Sequence, residues 1–405
     1  MEYRSVNGSR MLKSACLVLA PHLSYPTRNG ADILIDRRWA EFSRHVAYVD
    51  ILGSNVLVRY KHGVRVSVEE YSNQGRSKTW SSILTLVKGS HYLLEKLITQ
   101  DFIRIAKWCL AKPEYGMVVF SYISTASLAV LDMSNDRLYC IETHNDEIKW
   151  FKDMRHSSSN PLVKMIAWLS ECWLLRFMRQ YDNDFLYLHV TKADQSGYST
   201  YFPKQISYVA PVGCDLSEGL SHHTNIDALG PVKLLFVGSL NVKMNYDAIK
   251  YFAEKFYPVI KQNIVKQLEV RIVGSNPSVK VVRLCAQKGW SLFANASEEN
   301  LAASYAWADF SILPFEYATG GKLKLLKSLS LGVPFLATEA VCNQLDEIEP
   351  TCLMSDQPSE WLEHIMNIKK AGISQEQRNG LMASAQKNSW SRIASDLYWH
   401  LDVMS

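Results

Sequence analysis

At 405 residues, 47% hydrophobic and 21% charged, the chain is too long for one ordinary core and fits two domains of about 150 to 200 residues each. The formal charge of +4 is small and no nucleic-acid motif accompanies it, so nucleic acid is not an expected partner. The eight cysteines, at 16, 109, 140, 172, 214, 285, 342 and 352, lack the short paired spacings of a zinc or redox site; they read as reduced core thiols, and no metal is expected.

Met1 to Lys13 is a polar, basic tail, and the apolar run that follows it is strand length, so no signal peptide is read and a cytoplasmic protein is expected. Strands are predicted at Ala15–Ala20, Val46–Leu52, Gly116–Phe120, Leu138–Glu142, Phe185–Val190 and Ile206–Val209, with helix-length amphipathic stretches between them. Between the second and third of these, Arg59 to Lys112 holds ten Lys and Arg against four Asp and Glu. The part around Trp80 to Leu110 reads as helical, with aromatic and aliphatic residues interleaved with Lys88, Lys96, Arg104 and Lys107. Two readings stay open there: peripheral contact with an anionic membrane, or a core-facing helix pair with a solvated basic face. Pro161 to Met178 is apolar but carries Lys164, Glu171 and Arg176, too many charges for a membrane-spanning helix.

Residues 213–230, rich in Gly, Ser, His and Asn, read as a linker. The same rhythm then resumes with predicted strands at Val232–Val237, Leu268–Val273, Trp290–Phe293, Phe310–Leu313 and Pro334–Ala337. A last amphipathic stretch fills 389–405. The expected division is therefore a tail at 1–13, a first domain at 14–212, the linker at 213–230, a second domain at 231–388, and a C-terminal helix at 389–405 that packs back on the first domain. Strands alternating with helices give parallel sheets covered on both faces, so both domains read as doubly wound α/β.

Open parallel sheets bind ligands at the carboxyl ends of their strands, where loops lead into helix N-termini. Four loops here occupy that position. Pro21 to Gly30 follows the first strand and ends in a glycine before a helix with Arg37 and Arg38. Glu142-Thr-His-Asn-Asp-Glu147 follows a buried-looking run and presents His144 and Asn145, side chains suited to sugar hydroxyls. Gly238 to Asn245 opens the second half. Pro314 to Pro334 is the most informative: Thr319, Gly320 and Gly321 lead into a helix that begins with Lys322 and Lys324. Cations at a helix N-terminus oppose its dipole, and a bound diphosphate would resolve that conflict.

In their order along the chain these pieces, with Thr191–Asp194, Val209–Asp215, Val273–Pro277 and Ala308–Pro314, resemble the GT-B glycosyltransferases, especially the retaining family 4 group. The resemblance implies two Rossmann-like doubly wound domains facing a central cleft. It implies a sugar transferred from a nucleotide diphosphate donor to a glycan or lipid-linked acceptor, in surface polysaccharide or glycoconjugate synthesis, with no resident cofactor and no metal. On this sequence it places Asn29 and Gly30 near the donor phosphates, His144 and Asn145 near the transferred sugar, and Thr319, Gly320, Gly321, Lys322 and Lys324 around the diphosphate. Gly238, Ser239, Asn241 and Lys243 would approach the phosphates from the opposite loop, and Ser275 and Phe293 would flank the nucleobase. His144, Lys243 and Lys324 are the expected catalytic groups. The family's pair of glutamates, separated by seven residues, is replaced by Thr319 and Lys327. An ammonium cannot accept hydrogen bonds from a donor ribose as a carboxylate does. The alternative this raises is a catalytically inactive GT-B protein that binds nucleotide or scaffolds a glycan assembly.

Overall fold

The computed structural model describes residues 14–25, 27, 30–72, 76–131, 136–181, 184–216, 230–264, 267–317, 323–344 and 349–404. Asn29, Thr319, Gly320, Gly321 and Lys322 lie outside the described residues, as do the tail at 1–13 and most of the linker. The chain forms two compact units: the described residues up to Val212 together with those from Trp390 onward, and Gly213–Ser389.

The first unit runs β1 (Ala15–Leu19), α1 (Gly30–Phe42), β2 (Val49–Leu52), β3 (Val56–Lys61), β4 (Val64–Glu70), α2 (Lys78–Lys88), α3 (Tyr92–Leu97), α4 (Gln100–Leu110), β5 (Tyr115–Ser121), a 3-10 segment (Ile123–Leu131), β6 (Leu138–Glu142), α5 (Glu147–Ser157), α6 (Pro161–Gln180), β7 (Leu186–His189), α7 (Lys192–Tyr201) and β8 (Ser207–Val209). Its sheet has the order β4-β3-β2-β1-β5-β6-β7-β8. β1 and β5 are apolar along nearly their whole length because helices cover both faces, and every position in them is buried. Ser77, Thr99, Asp146, Asn160 and Thr191 each cap a helix by accepting a backbone N–H. The C-terminal helix, Trp390–Met404, packs on α1.

The antiparallel hairpin β3–β4 was not among the predicted strands. Its turn, His62-Gly63, has positive φ at both residues, as a tight hairpin with right-handed strand twist requires. The period-two alternation of Val56-Leu-Val-Arg-Tyr-Lys61 and Val64-Arg-Val-Ser-Val68 carries the strand signal, so Arg59, Lys61 and Arg65 of the basic segment are strand residues.

The second unit runs β9 (Val232–Val237), α8 (Lys243–Tyr251) continued through a π-helical turn (Phe252–Phe256) into α9 (Tyr257–Asn263), β10 (Leu268–Gly274), α10 (Val279–Lys288), β11 (Ser291–Ala294), α11 (Glu298–Trp307), β12 (Phe310–Leu313), α12 (Leu323–Ser330), β13 (Phe335–Ala337), a 3-10 segment (Glu339–Gln344), β14 (Leu353–Met354), α13 (Pro358–Ala371) and α14 (Gln375–Lys387). All pairings in its sheet, ordered β11-β10-β9-β12-β13-β14, are parallel. Trp361 is fully buried against Phe252 and Phe256. No helix among the described residues is long and apolar enough to cross a membrane.

Candidate functional site

In each sheet the chain winds outward in both directions from one strand, and the switch point falls between β1 and β5 in the first unit and between β9 and β12 in the second. Loops part at such a point, and ligands collect outside the carboxyl ends of the strands. A polar cluster stands at each.

In the first unit, three rings meet where β1, β5 and β6 end. His22 lies 4.6 Å from Tyr122 and 5.2 Å from His144, and Tyr122 lies 4.4 Å from His144. Tyr122 has φ +70, a backbone conformation that bulky side chains rarely adopt and that costs on the order of 1 kcal/mol or more. His144 Nε2 is 2.6 Å from Ser121 Oγ. Burial, aided by the Arg38 guanidinium, pushes the His144 imidazole down to about 3, and burial next to His144 holds His22 well below the usual histidine range. Both rings are therefore neutral across the physiological range. Each neutral imidazole carries one donor and one acceptor. The ring nitrogens of His22 are buried and find no hydrogen-bond partner among the described residues.

Arg38, fully buried, ties this floor together: its guanidinium bonds Glu142 Oε1 and donates to the carbonyls of Ala210 and Pro211 at 2.7 and 2.8 Å. The Trp39 indole donates to Glu142 Oε2 at 3.3 Å. Glu147, one turn past His144, accepts the Ile123 N–H at 3.2 Å. Burial raises Glu147 to about 8, against the opposing Ile123 hydrogen bond and with help from Asp146. The folded form thus holds a proton that the unfolded chain releases at ordinary carboxylate pH. Stability from this group is full below the unfolded value and is lost as pH rises towards 8. Glu147→Gln, which keeps the neutral shape, is expected to raise stability at pH 8 by on the order of 2 kcal/mol and to leave it unaltered near about pH 4; urea unfolding at both pH values is the check.

In the second unit, Lys324 is the centre. Its ammonium donates to Asn245 Oδ1 at 2.9 Å and lies 4.7 and 4.9 Å from the rings of Phe236 and Phe315. Asn245 in turn donates to the Ser239 carbonyl at 2.9 Å. Gly238 makes the room: a Cβ there would stand 2.8 Å from the Lys324 nitrogen and 3.1 Å from the Asn245 amide. Gly274 serves the same end one strand over, since a Cβ at that position would fall 1.7 Å from the Gly238 carbonyl. That close approach lets the Leu240 N–H reach the Ser275 carbonyl at 2.8 Å. Beside the cluster α8 begins at Lys243, and its N-cap, Val242, supplies no side-chain cap to the first turn, where the positive end of the helix dipole lies.

Lys243, on the same helix, pairs with Asp247 at 2.5 Å, and its side chain is 83% exposed. Asp247 also accepts the Tyr317 hydroxyl. Asn241 is exposed. Phe293 lies on β11 with the Arg271 guanidinium 4.6 Å from its ring centroid. Lys327 is half-buried one turn beyond Lys324, near enough to Cys214 to work against the burial and the Asp215 charge that raise that thiol to about 12. Gly30 opens α1, and Asn145 offers its carbonyl to the Tyr198 hydroxyl at 3.3 Å. The structure thus gathers Gly238, Ser239 and Lys324 in one unit and sets His144 at the switch point of the other. Asn245, Phe236 and Phe315 in the second unit, and His22, Ser121, Tyr122 and Glu147 in the first, were not singled out from sequence. The available signal was position, since each except Asn245 and Glu147 lies on or just after a strand next to a switch point, and those two begin the helices that follow.

The class follows from the fold. The chain covers 97% of itself and 100% of sucrose-phosphate synthase from Thermosynechococcus elongatus, with a TM-score of 0.62 at 15% identity. It aligns over 96% of its length with all of HepE from Anabaena, solved with UDP, at a TM-score of 0.61 and 12% identity. An α,α-trehalose-phosphate synthase (UDP-forming) from Burkholderia vietnamiensis gives 0.60 at 11% identity, over 96% of this chain and 100% of that one. The chain has the GT-B fold. Within it, residues 231–370, the greater part of the second unit, match the family of glycosyl transferases group 1. No curated protein matches the chain.

Proposed function

We propose that this chain is a glycosyltransferase that takes a sugar from a nucleotide diphosphate donor, the diphosphate resting on Lys324 and the uncapped start of α8. The observation that carries the reading is the Gly238–Asn245–Lys324 arrangement at the β9/β12 switch point: a glycine opens space, an amide orients an ammonium, and a helix N-terminus adds N–H donors. Such groups stabilise the negative charge that grows on a departing nucleoside diphosphate, so the leaving group is activated by protein cations and amides without a metal. The UDP named for the HepE structure and the match to group 1 over this same unit support that choice of donor.

In this reading His144 meets the transferred sugar as a neutral hydrogen-bonding group, transfer proceeds with retention, and the acceptor is a glycan or a lipid-linked saccharide of surface polysaccharide or glycoconjugate synthesis. A lipid-linked acceptor places the chain at the inner face of the cytoplasmic membrane. The first test is a thermal-shift screen over nucleoside diphosphates and their sugars, since a ligand at 100 times its Kd adds about 2.7 kcal/mol to the folded state. Failure of every nucleotide to shift the transition contradicts the proposal.

Two variants refine it. Gly238→Ala is expected to displace the Lys324 ammonium and weaken nucleotide binding about tenfold, with stability changed by no more than about 0.5 kcal/mol because the clashing atoms end flexible side chains. Lys327→Glu supplies the hydrogen-bond acceptor that ribose hydroxyls require and is expected to tighten nucleotide binding about tenfold. Calorimetric titration reads both.

A further inference from the structure

We infer that the face formed by α2 and α6 of the first unit docks on an anionic lipid surface. The inference rests on the membrane placement just proposed for its biological sense, and on the first unit alone for its geometry. The two helices pack against each other; α2 is built inside out, and α6, which buries Leu174, Phe177 and Met178 in its second half, exposes an apolar stripe in its first. In α2 the buried positions are the small polar Ser81 and Thr85, whereas Trp80, Ile83 and Val87, one turn apart, face solvent with relative exposures of 54%, 42% and 78%. In α6 Leu162, Met165 and Trp168 do the same at 55%, 45% and 48%. A surface helix of a globular protein ordinarily turns such a stripe inward. Large apolar side chains gathered on touching helices mark an interaction surface.

The charges select the occupant. On α2 and α6 the exposed charged residues are Lys78, Lys88, Lys164, Arg176 and Arg179, all cationic. The acids of α6 and α3 are withdrawn from it: Glu171 is buried against Lys152 and Arg155, and Glu95 is buried against Arg76 and Lys88. On α6 the helical repeat puts Arg176 and Arg179 on the same side as Met165 and Trp168, so one stripe is apolar at its start and basic at its end. Apolar insertion flanked by cations fits an anionic bilayer. A symmetric contact with a second copy would press like charges together. The surface keeps only the start of the stretch that sequence singled out, Trp80 to Val87, and adds α6, because α4 turns Phe102, Ala106, Cys109 and Leu110 into the core, while Trp108 holds the Lys112 ammonium 3.6 Å from its ring centroid.

The test uses the full chain without substrates, so that it holds or fails separately from sugar transfer. Sedimentation with vesicles of equimolar phosphatidylcholine and phosphatidylglycerol at low salt is compared with phosphatidylcholine alone. Binding to the first and not the second is expected, weakened at least tenfold by Trp80→Ser with Trp168→Ser, and about fivefold for each of Lys164→Glu and Arg179→Glu. Cys172, on the same stripe and the exposed cysteine among those described, reports contact directly: anionic vesicles are expected to slow its reaction with a charged maleimide. Absence of binding to the anionic vesicles, binding by the three variants equal to that of the unaltered chain, or a vesicle-free dimer abolished by the tryptophan changes would overturn the inference.

Discussion

Lys324→Ala is expected to lower the turnover of sugar transfer by roughly 10² to 10³, the range typical for removing one preorganised donor that acts on charge developing in the transition state. The size follows from where the ammonium is kept. It sits over two aromatic rings and is held by Asn245, whose amide is itself anchored on the Ser239 carbonyl. A partly desolvated, oriented cation needs no reorganisation when the leaving group gains charge, whereas a solvated surface lysine would change turnover little. Lys243 provides the internal comparison: its side chain is 83% exposed and paired with Asp247. Lys243→Ala is accordingly expected to cost much less than Lys324→Ala in turnover. Equal losses in the two variants would place the diphosphate along α8 and not at the switch point.

Breaking the buried pair at the floor of the first unit is expected to be the most damaging single change for stability. Arg38 and Glu142 have fully buried side chains, so Glu142→Gln or Arg38→Met leaves an uncompensated charge in the core at a cost of about 3 to 5 kcal/mol. Removing both charges together is expected to recover only part of that. Arg38 also satisfies the carbonyls of Ala210 and Pro211, and Glu142 satisfies the Trp39 indole, so the double replacement strands polar groups that an isolated ion pair would not. Urea unfolding of the two single variants and the double variant gives the coupling. A double variant as stable as the unaltered chain would show that the pair is not tied to the polar groups around it.

Much of the fold was legible because parallel sheets impose simple rules on sequence. Strands buried on both faces read as continuous apolar runs, and β1, β5, β6, β9, β10 and β12 all lie within a residue or two of where such runs fall. The strands that escaped are the two edge strands β4 and β14 and β3, which lies next to the edge. β4 is exposed at every position, and β14 has two residues, so neither carries a sustained apolar run. The basic composition of Arg59 to Lys112 concealed a hairpin because charge was weighed over a window longer than a strand. The site was legible where a loop had unusual chemistry, as with Gly238 and Lys324, and obscure where it depended on contacts distant in sequence. Nothing local marks Asn245 as the group that orients Lys324 from 79 residues away, or brings His22, Tyr122 and His144 into one ring cluster. Glu147 looked like one acid in a polar loop; its raised proton affinity arises from burial beneath the 3-10 segment.

The central claim, that the second unit holds the diphosphate of a nucleotide through Lys324, is tested most directly by calorimetric titration of UDP, ADP and GDP into the full chain and its Lys324→Ala variant. At least one nucleotide is expected to bind the unaltered chain, with affinity reduced tenfold or more in the variant and no change in the unfolding transition of the free protein. Binding of equal strength to both, or to neither, would contradict it.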